Sequence, residues 1–340
     1  MKRKKKGQRN LKGKLIVGLL ILQNKMSLSG NLEKMKQIQS ALLKYIKGDD
    51  DKSNYKKFLK LFEDFQFIKN KYDFKPILLL IKRISNDMHR LPLFYDKIFQ
   101  ILNYFKKDII QSFSNSEIFN IFESNKRIIL FLIDNQILTV DKPIATKMCN
   151  EKNGPTYQKY FFQEIKPFND SIRARNMSKE LHESFEKWRR IGENETTICQ
   201  LIREDSIKDF IIHINATNFP LTELIKPSFF ETNSFLQDRF TTLIEYSAFY
   251  GSCQIFKYLY YNKCELTPTL YICAIHGDNP EIIDFLENYL PYKNIPNLAK
   301  GCYFEAIKCY NNEMAYYFKD NYLQGQNLID LSSHFYSNDV

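Results

Sequence analysis

The sequence predicts an all-α protein: a helical-hairpin solenoid in the C-terminal half, preceded by a helical N-terminal half. Three observations carry that prediction. First, TLIEYSAFYG (242–251) followed by IFKYL, and PTLYICAIHG (268–277) followed by IIDFL, repeat one grammar, and FEAIKC running into EMAYYF repeats it more loosely. Second, aligning these units places Ala248, Ala274 and Ala306 at spacings of 26 and 32 residues, within the 20–50 range of stacked helical hairpins. Third, 28 Phe and 21 Tyr against only 11 Gly and 11 Pro in 340 residues favour long packed elements over low-complexity disorder.

The elements follow in chain order. Residues 1–25 form a basic run followed by LIVGLLIL (15–22). That apolar stretch is too short for a bilayer, which needs about twenty residues. It reads as an upstream extension before a start at Met26, as a basic tail, or as a signal-peptide core with Ser27 and Ser29 near the cleavage point. In the helical region 26–140, Leu32, Met35, Ile38, Leu42 and Ile46 fit one face, and Gly48 with the acidic run 49–51 ends it. Tyr55, Phe58, Leu59, Phe62 and Phe65 predict the next helix. Pro76 opens a run from Ile77 to Ile84, and Pro92 opens a long one through Ile98, Leu102, Phe105 and Ile109. Ser116 predicts the cap of a short helix to Phe122, and Ile128 to Ile133 supplies its partner.

Residues 141–195 carry Pro143, Gly154, Pro155 and Pro167 with weak periodicity, which predicts an irregular connection followed by a helix from Ser178 through Leu181, Phe185 and Trp188. Thr196 to Arg203 and Asp205 to Ile214 predict the first hairpin of an array over 196–324. An insertion with Pro220 and Pro227 separates it from Thr241, and residues 325–340 form a flexible tail.

Within the array, a Thr or Pro at a helix start satisfies or removes free N–H groups. Small residues at Ala248, Ala274 and Ala306 let a neighbouring helix approach, and Gly251 and Gly277 can adopt the left-handed conformation that closes a helix. The following helices gather Ile255, Phe256 and Leu259, then Ile282, Ile283, Phe285 and Leu286, then Met314, Tyr317 and Phe318 on one face. One hairpin cannot bury such a face alone, and stacking does.

These units resemble ankyrin repeats, whose first helix reads T-P-L-H-x-A-A-x-x-G and whose second carries an I-V-x-x-L-L stripe. More narrowly, TTLIEYSAFYGSCQIFKYLYYN, ELTPTLYICAIHG and EAIKCYNNEMAYYF are similar to the divergent ankyrin family of unknown function expanded in trichomonad protists. The close likeness covers about 205–323, and a looser one reaches back to about Met26 through SNKRIILFLIDNQILT (124–139). The first unit breaks the T-P order, the third has Cys309 where Gly is expected, and the first spacing falls short of 33. The resemblance implies a non-enzymatic module that binds an unknown protein partner through a concave face, as a monomer. Carried onto this chain, it marks Phe249, Tyr250, Ile275, His276, Ile307 and Lys308 before the helix ends, Thr241 and Thr267 before the helix starts, and Tyr261 and Lys263 near the inter-repeat finger.

Charge and chemistry narrow the alternatives. The net charge is +10, but residues 1–25 hold nine basic and no acidic side chains, which leaves 40 basic against 39 acidic in the rest. Only that segment predicts binding to nucleic acid or membrane, as an electrostatic alternative to protein recognition. Seven cysteines without a tight framework predict reduced thiols and a cytoplasmic protein, or a secreted one if residues 1–30 are a signal. Gly7, Gly13, Lys14 and Leu15 miss the phosphate-loop spacing, and neither G-x-G-x-x-G nor G-x-S-x-G occurs. Cys273 and His276 stand three apart without a C-x-x-C or H-E-x-x-H partner, with His276 expected to face outward. The expectation is therefore no catalytic residues, cofactor, metal or small-molecule substrate. The lysines of YKKFLKLF (55–62) read as a solvated face over an aromatic core stripe.

Overall fold

The structure, a computed structural model, describes residues 30–48, 51–67, 71–88, 93–149, 154–168, 179–289 and 298–324. The expectations for residues 1–25, a start at Met26, Pro92, Ser178 and the tail 325–340 lie outside the described residues. The protein is all-α: the described residues form nineteen α-helices, one 3₁₀ turn and two two-residue strands. The chain forms two compact units, Met1–Leu80 with Asn312–Val340, and Ile81–Asn311.

In the first unit, α1 (Gly30–Lys47) and α2 (Asp51–Phe65) pack as a hairpin. Met35, Ile38, Leu42 and Ile46 are buried with Phe58 and Phe62, while Lys56, Lys57 and Lys60 stay in solvent. The helical spacing of apolar residues thus becomes a single buried stripe. α3 (Lys71–Asp87) begins five residues before Pro76, so that proline lies inside the helix and does not start it. A proline in the second turn removes only one intrahelical bond, and Phe74, Ile77 and Leu78 bury the helix face regardless.

In the second unit, the expected long helix after position 92 is broken at Phe105 into α4 (Phe94–Tyr104) and α5 (Lys106–Ser112). α6 (Asn115–Phe122) is capped by Ser114, two residues before the predicted cap, because Glu117 completes a capping box from there. Asn125 caps α7 (Lys126–Asp134) and also donates to Asn86 and Tyr95.

The segment 141–195 corrects the expectation of an irregular connection. It holds α8 (Lys142–Met148), α9 (Gly154–Tyr160), α10 (Phe162–Ile165), the 3₁₀ turn Lys166–Phe168 and α11 (Lys179–Ile191). Proline does not break the chain here: Asp141 caps α8 with Pro143 in the first turn, where a missing N–H costs nothing. Arg189 of α11 is 3% exposed and is held by Glu164 at 2.7 Å and Glu186 at 2.9 Å. Trp188 of the same helix is only half-buried under Lys187.

From residue 196 the hairpins α12 (Thr197–Arg203)/α13 (Ile207–Thr217), α14 (Leu243–Tyr250)/α15 (Cys253–Tyr261) and α16 (Thr269–Gly277)/α17 (Pro280–Tyr289) follow one another, then α18 (Leu298–Lys308). First helices pack on first helices, α12 on α14, α14 on α16 and α16 on α18. Second helices do likewise, α13 on α15 and α15 on α17. α19 (Asn312–Tyr322) belongs to the first unit, with Ala315 and Phe318 buried.

Each first helix closes with a left-handed residue: Asp205 (φ 47°), Gly251 (φ 70°), Asp278 (φ 48°) and Tyr310 (φ 53°). Gly277 is therefore not the terminator that its position suggests, since α16 runs through it and Asp278 takes the positive φ. Gly277 has a different task. A Cβ there would strike the carbonyl oxygen of Ala248, so its missing side chain sets the approach of α16 to α14.

The insertion between α13 and α14 is packed. Leu224 pairs with Thr242 and Ile225 with Thr241 in a two-residue antiparallel ribbon, β1 (Leu224–Ile225) with β2 (Thr241–Thr242). Phe230, Glu231, Thr232, Asn233 and Leu236 are buried.

Candidate functional site

The residue after each of the last three left-handed positions ties its turn to the one before. Ser252 Oγ donates to the carbonyl of Ile202. Asn279 Nδ2 donates to the carbonyl of Gly251 at 2.8 Å, and Asn311 Nδ2 to Asp278 Oδ1 at 2.6 Å. Asp205 in turn accepts from the backbone N–H groups of Gln254 and Ile255, which caps the second helix of the next hairpin. Four successive turns are thus laced edge to edge.

At the other end of the first helices, Thr242 and Glu245 form a capping box on α14. Glu245, 5% exposed, also accepts from Thr267 at 3.0 Å and from Thr269 of the following unit. Burial alone would raise its carboxyl, but the hydrogen bonds from Thr269, Thr242 and Thr267 and the charge of Arg239 outweigh that and hold it below the ordinary carboxylate range.

This geometry sorts the ten residues marked from the sequence. Thr241, Phe249, Ile275 and His276 are buried, between 0% and 3% exposed, and so serve packing instead of presenting surface. The expectation that they face a partner is corrected at these four positions: the neighbouring hairpin covers Phe249, Ile275 and His276 in the last turns of their helices, and Thr241 is held in the ribbon opposite Ile225. Thr267 is half-buried on Glu245, and Tyr250 is half-buried 4.8 Å from Tyr246. Ile307 and Lys308 are half-buried, with Lys308 at 3.4 Å from Glu305. Tyr261, 71% exposed, and Lys263, left-handed at φ 64°, stand in solvent at the turn after α15. Cys264 in that turn reaches the carbonyl of Leu221 at 3.6 Å, three residues before the ribbon, where Leu224 of β1 and Phe240 just ahead of β2 are exposed.

Two polar clusters have no counterpart among the sequence expectations. His276 Nε2 lies 2.8 Å from Glu305 Oε1, and Cys309 Sγ lies 3.4 Å from His276 Nδ1. The rings of Phe249 and Phe235 flank the imidazole at 4.7 and 4.9 Å. Burial raises the Glu305 carboxyl, but the hydrogen bond and charge of His276, with Lys308, bring it below the usual range. The signal in the sequence is Glu305 and Cys309 one helical turn apart, opposite a histidine of the preceding unit; reading within single helices does not find it.

The second cluster lies under the insertion. Lys126 donates to the carbonyl of Phe229 at 3.0 Å beneath the Tyr160 ring, and Thr232 clasps the Gly192 carbonyl. Arg203 binds Glu193 at 2.9 Å and the Tyr246 hydroxyl at 2.8 Å. Burial lifts Glu231 to about 7 and lowers Lys126 to about 8.

All seven cysteines lie among the described residues, and none of them is in a disulfide. Burial pushes Cys199 up to about 11, and Cys273 and Cys302 well above the ordinary thiol range. Among the described residues, no helix is long and apolar enough to cross a membrane. No family model, curated protein or solved structure matches this chain.

Proposed function

We propose that this chain is a non-enzymatic protein-interaction module built as an ankyrin-like helical-hairpin solenoid, of the divergent kind that its sequence resembles. The observation that carries the reading is the layering of 196–311. First helices stack on first helices and second helices on second helices, with each turn hydrogen-bonded to its predecessor. Such an array buries its hydrophobic faces by repetition and leaves an extended surface free for recognition.

Burial holds the thiols of Cys199, Cys273 and Cys302 protonated, so these three do not offer the thiolate that a cysteine nucleophile needs. The recognition edge lies where the ribbon and the turn after α15 expose Leu224 (45%), Phe240 (57%) and Tyr261 (71%), with Lys263 beside them. Exposed aromatic groups on a rigid frame are the usual anchors of protein binding.

The test is affinity capture with the full chain, compared with a form carrying Leu224→Ser, Phe240→Ser and Tyr261→Ser that keeps the parent melting temperature. A protein retained by the parent and lost from the triple variant supports the reading. The same retained set for both, or none for either, overturns it.

A further inference from the structure

We propose that His276, Glu305 and Cys309 form a binding site for a borderline divalent cation, zinc foremost, which clamps two successive hairpins together. One donor atom from each residue lies within 4.8 Å of the others, and His276 and Cys309 are buried while Glu305 is partly so. His276 Nε2 is 2.8 Å from Glu305 Oε1 and 3.9 Å from Cys309 Sγ. A tetrahedral zinc bound at ordinary lengths holds nitrogen, oxygen and sulfur donors roughly 3.3–3.8 Å apart, so small side-chain shifts admit it.

The backbone builds the site. Cys309 continues the helical path of α18 through its N–H bond to the Glu305 carbonyl at 2.9 Å. Residues at i and i+4 then share one face, here the face packed on α16, which carries His276. Phe249 and Phe235 fix the imidazole plane and keep the surroundings apolar.

The donor set selects the metal class. Thiolate with imidazole and one carboxylate suits zinc and its borderline neighbours and disfavours magnesium and calcium, which demand oxygen shells. On binding, the Cys309 thiol releases its proton to solvent, an imidazolium at His276 does the same, and the imidazole nitrogen so freed offers its lone pair. One thiolate and one carboxylate then neutralise the 2+ charge, and no net charge is left buried. The expectation of no metal rests on pairs within one helix, whereas this constellation spans two repeats.

Cobalt(II) serves as the spectroscopic probe, titrated into the full chain under reducing, metal-free conditions. The expected result is a thiolate-to-cobalt charge-transfer band that saturates at one equivalent and is displaced by zinc. Cys309→Ser removes the band, Glu305→Gln weakens binding at least about tenfold, and Cys149→Ser leaves the titration unchanged. The unaltered chain provides a readout that needs no variant to fold: no thiolate band at one equivalent overturns the proposal. A band that persists in Cys309→Ser with the same affinity also overturns it, since the metal would then sit elsewhere.

Discussion

Gly277 and Gly251 face each other across the junction of two hairpins, and neither leaves room for a side chain on the other. A Cβ on Gly277 would strike the Ala248 carbonyl oxygen and stand 3.1 Å from the Gly251 nitrogen; one on Gly251 would stand 2.8 Å from the Gly277 oxygen. Both clashes involve backbone, which cannot swing aside as a side-chain tip can.

Gly277→Ala therefore destabilises the protein by about 1–3 kcal/mol through overpacking, although alanine is the better helix former by about 1 kcal/mol. Gly301 lies in the helical interior of α18, and a Cβ there would meet nothing within 4 Å. Gly301→Ala gains up to about 1 kcal/mol from propensity alone. Urea unfolding of the two variants side by side decides the matter; equal midpoints would refute the close approach.

Asn279 is the hinge pin of one turn-to-turn link. Its Nδ2 donates to the Gly251 carbonyl at 2.8 Å while its Oδ1 accepts from the Glu281 N–H at 3.0 Å. Asn279→Ala loses both and costs about 1–2 kcal/mol. Asn279→Asp keeps the acceptor that caps α17 and loses only the donor, so it falls between parent and alanine forms. A thermal melt in which the aspartate form is the least stable of the three would count against this division of labour.

Periodicity made much of this fold legible. The stripes of Ile255, Phe256 and Leu259, and of Ile282, Ile283 and Leu286, are buried as their spacing requires, whereas Phe285 of the second stripe and Met314 and Tyr317 of the third are only half-buried. The Thr242 cap was legible too, since Glu245 completes a motif with a local signature. What the sequence could not disclose was which residues meet across repeats. Gly277 looks like a terminator because local reading sees only the end of a helix, and the left-handed role has passed to Asp278. His276 is expected to face solvent because nothing local announces Glu305, twenty-nine positions away. Arg189 is unremarkable in sequence, since a buried arginine is defined only by the carboxylates that find it.

That arginine supplies a further prediction. Arg189 Nη1 lies 2.7 Å from Glu164 and also reaches the Tyr160 carbonyl, while the Tyr160 hydroxyl donates to the Arg189 carbonyl. Burial raises the Glu164 carboxyl even against the pull of Arg189. Arg189→Met strands that carboxylate and costs about 3–5 kcal/mol, whereas Arg189→Met with Glu164→Leu recovers much of the loss. Unfolding midpoints that fall additively in the double variant would show that the pair is not coupled.

Glu231 gives the protein a pH signature. Its carboxyl is fully buried and is lifted to about 7, against roughly 4.3 in an unfolded chain. Between those values the folded chain holds a proton that the unfolded chain has released. Stability therefore falls as pH rises from about 4.3 to about 7, by on the order of 4 kcal/mol for this group. Lys126 runs in the opposite sense. Burial lowers it to about 8, so from about 8 to roughly 10.4 the unfolded chain holds the extra proton and stability rises with pH. Glu231→Gln keeps an oxygen for the Asn233 N–H, which Glu231 Oε1 accepts at 2.8 Å, and has no charge to bury. The glutamine variant is accordingly more stable than the parent at pH 8, and its advantage shrinks as pH falls towards 4.5. Urea midpoints at pH 4.5, 6 and 8 measure that difference directly, and an advantage independent of pH would mean that the Glu231 carboxyl titrates alike in the folded and unfolded chains.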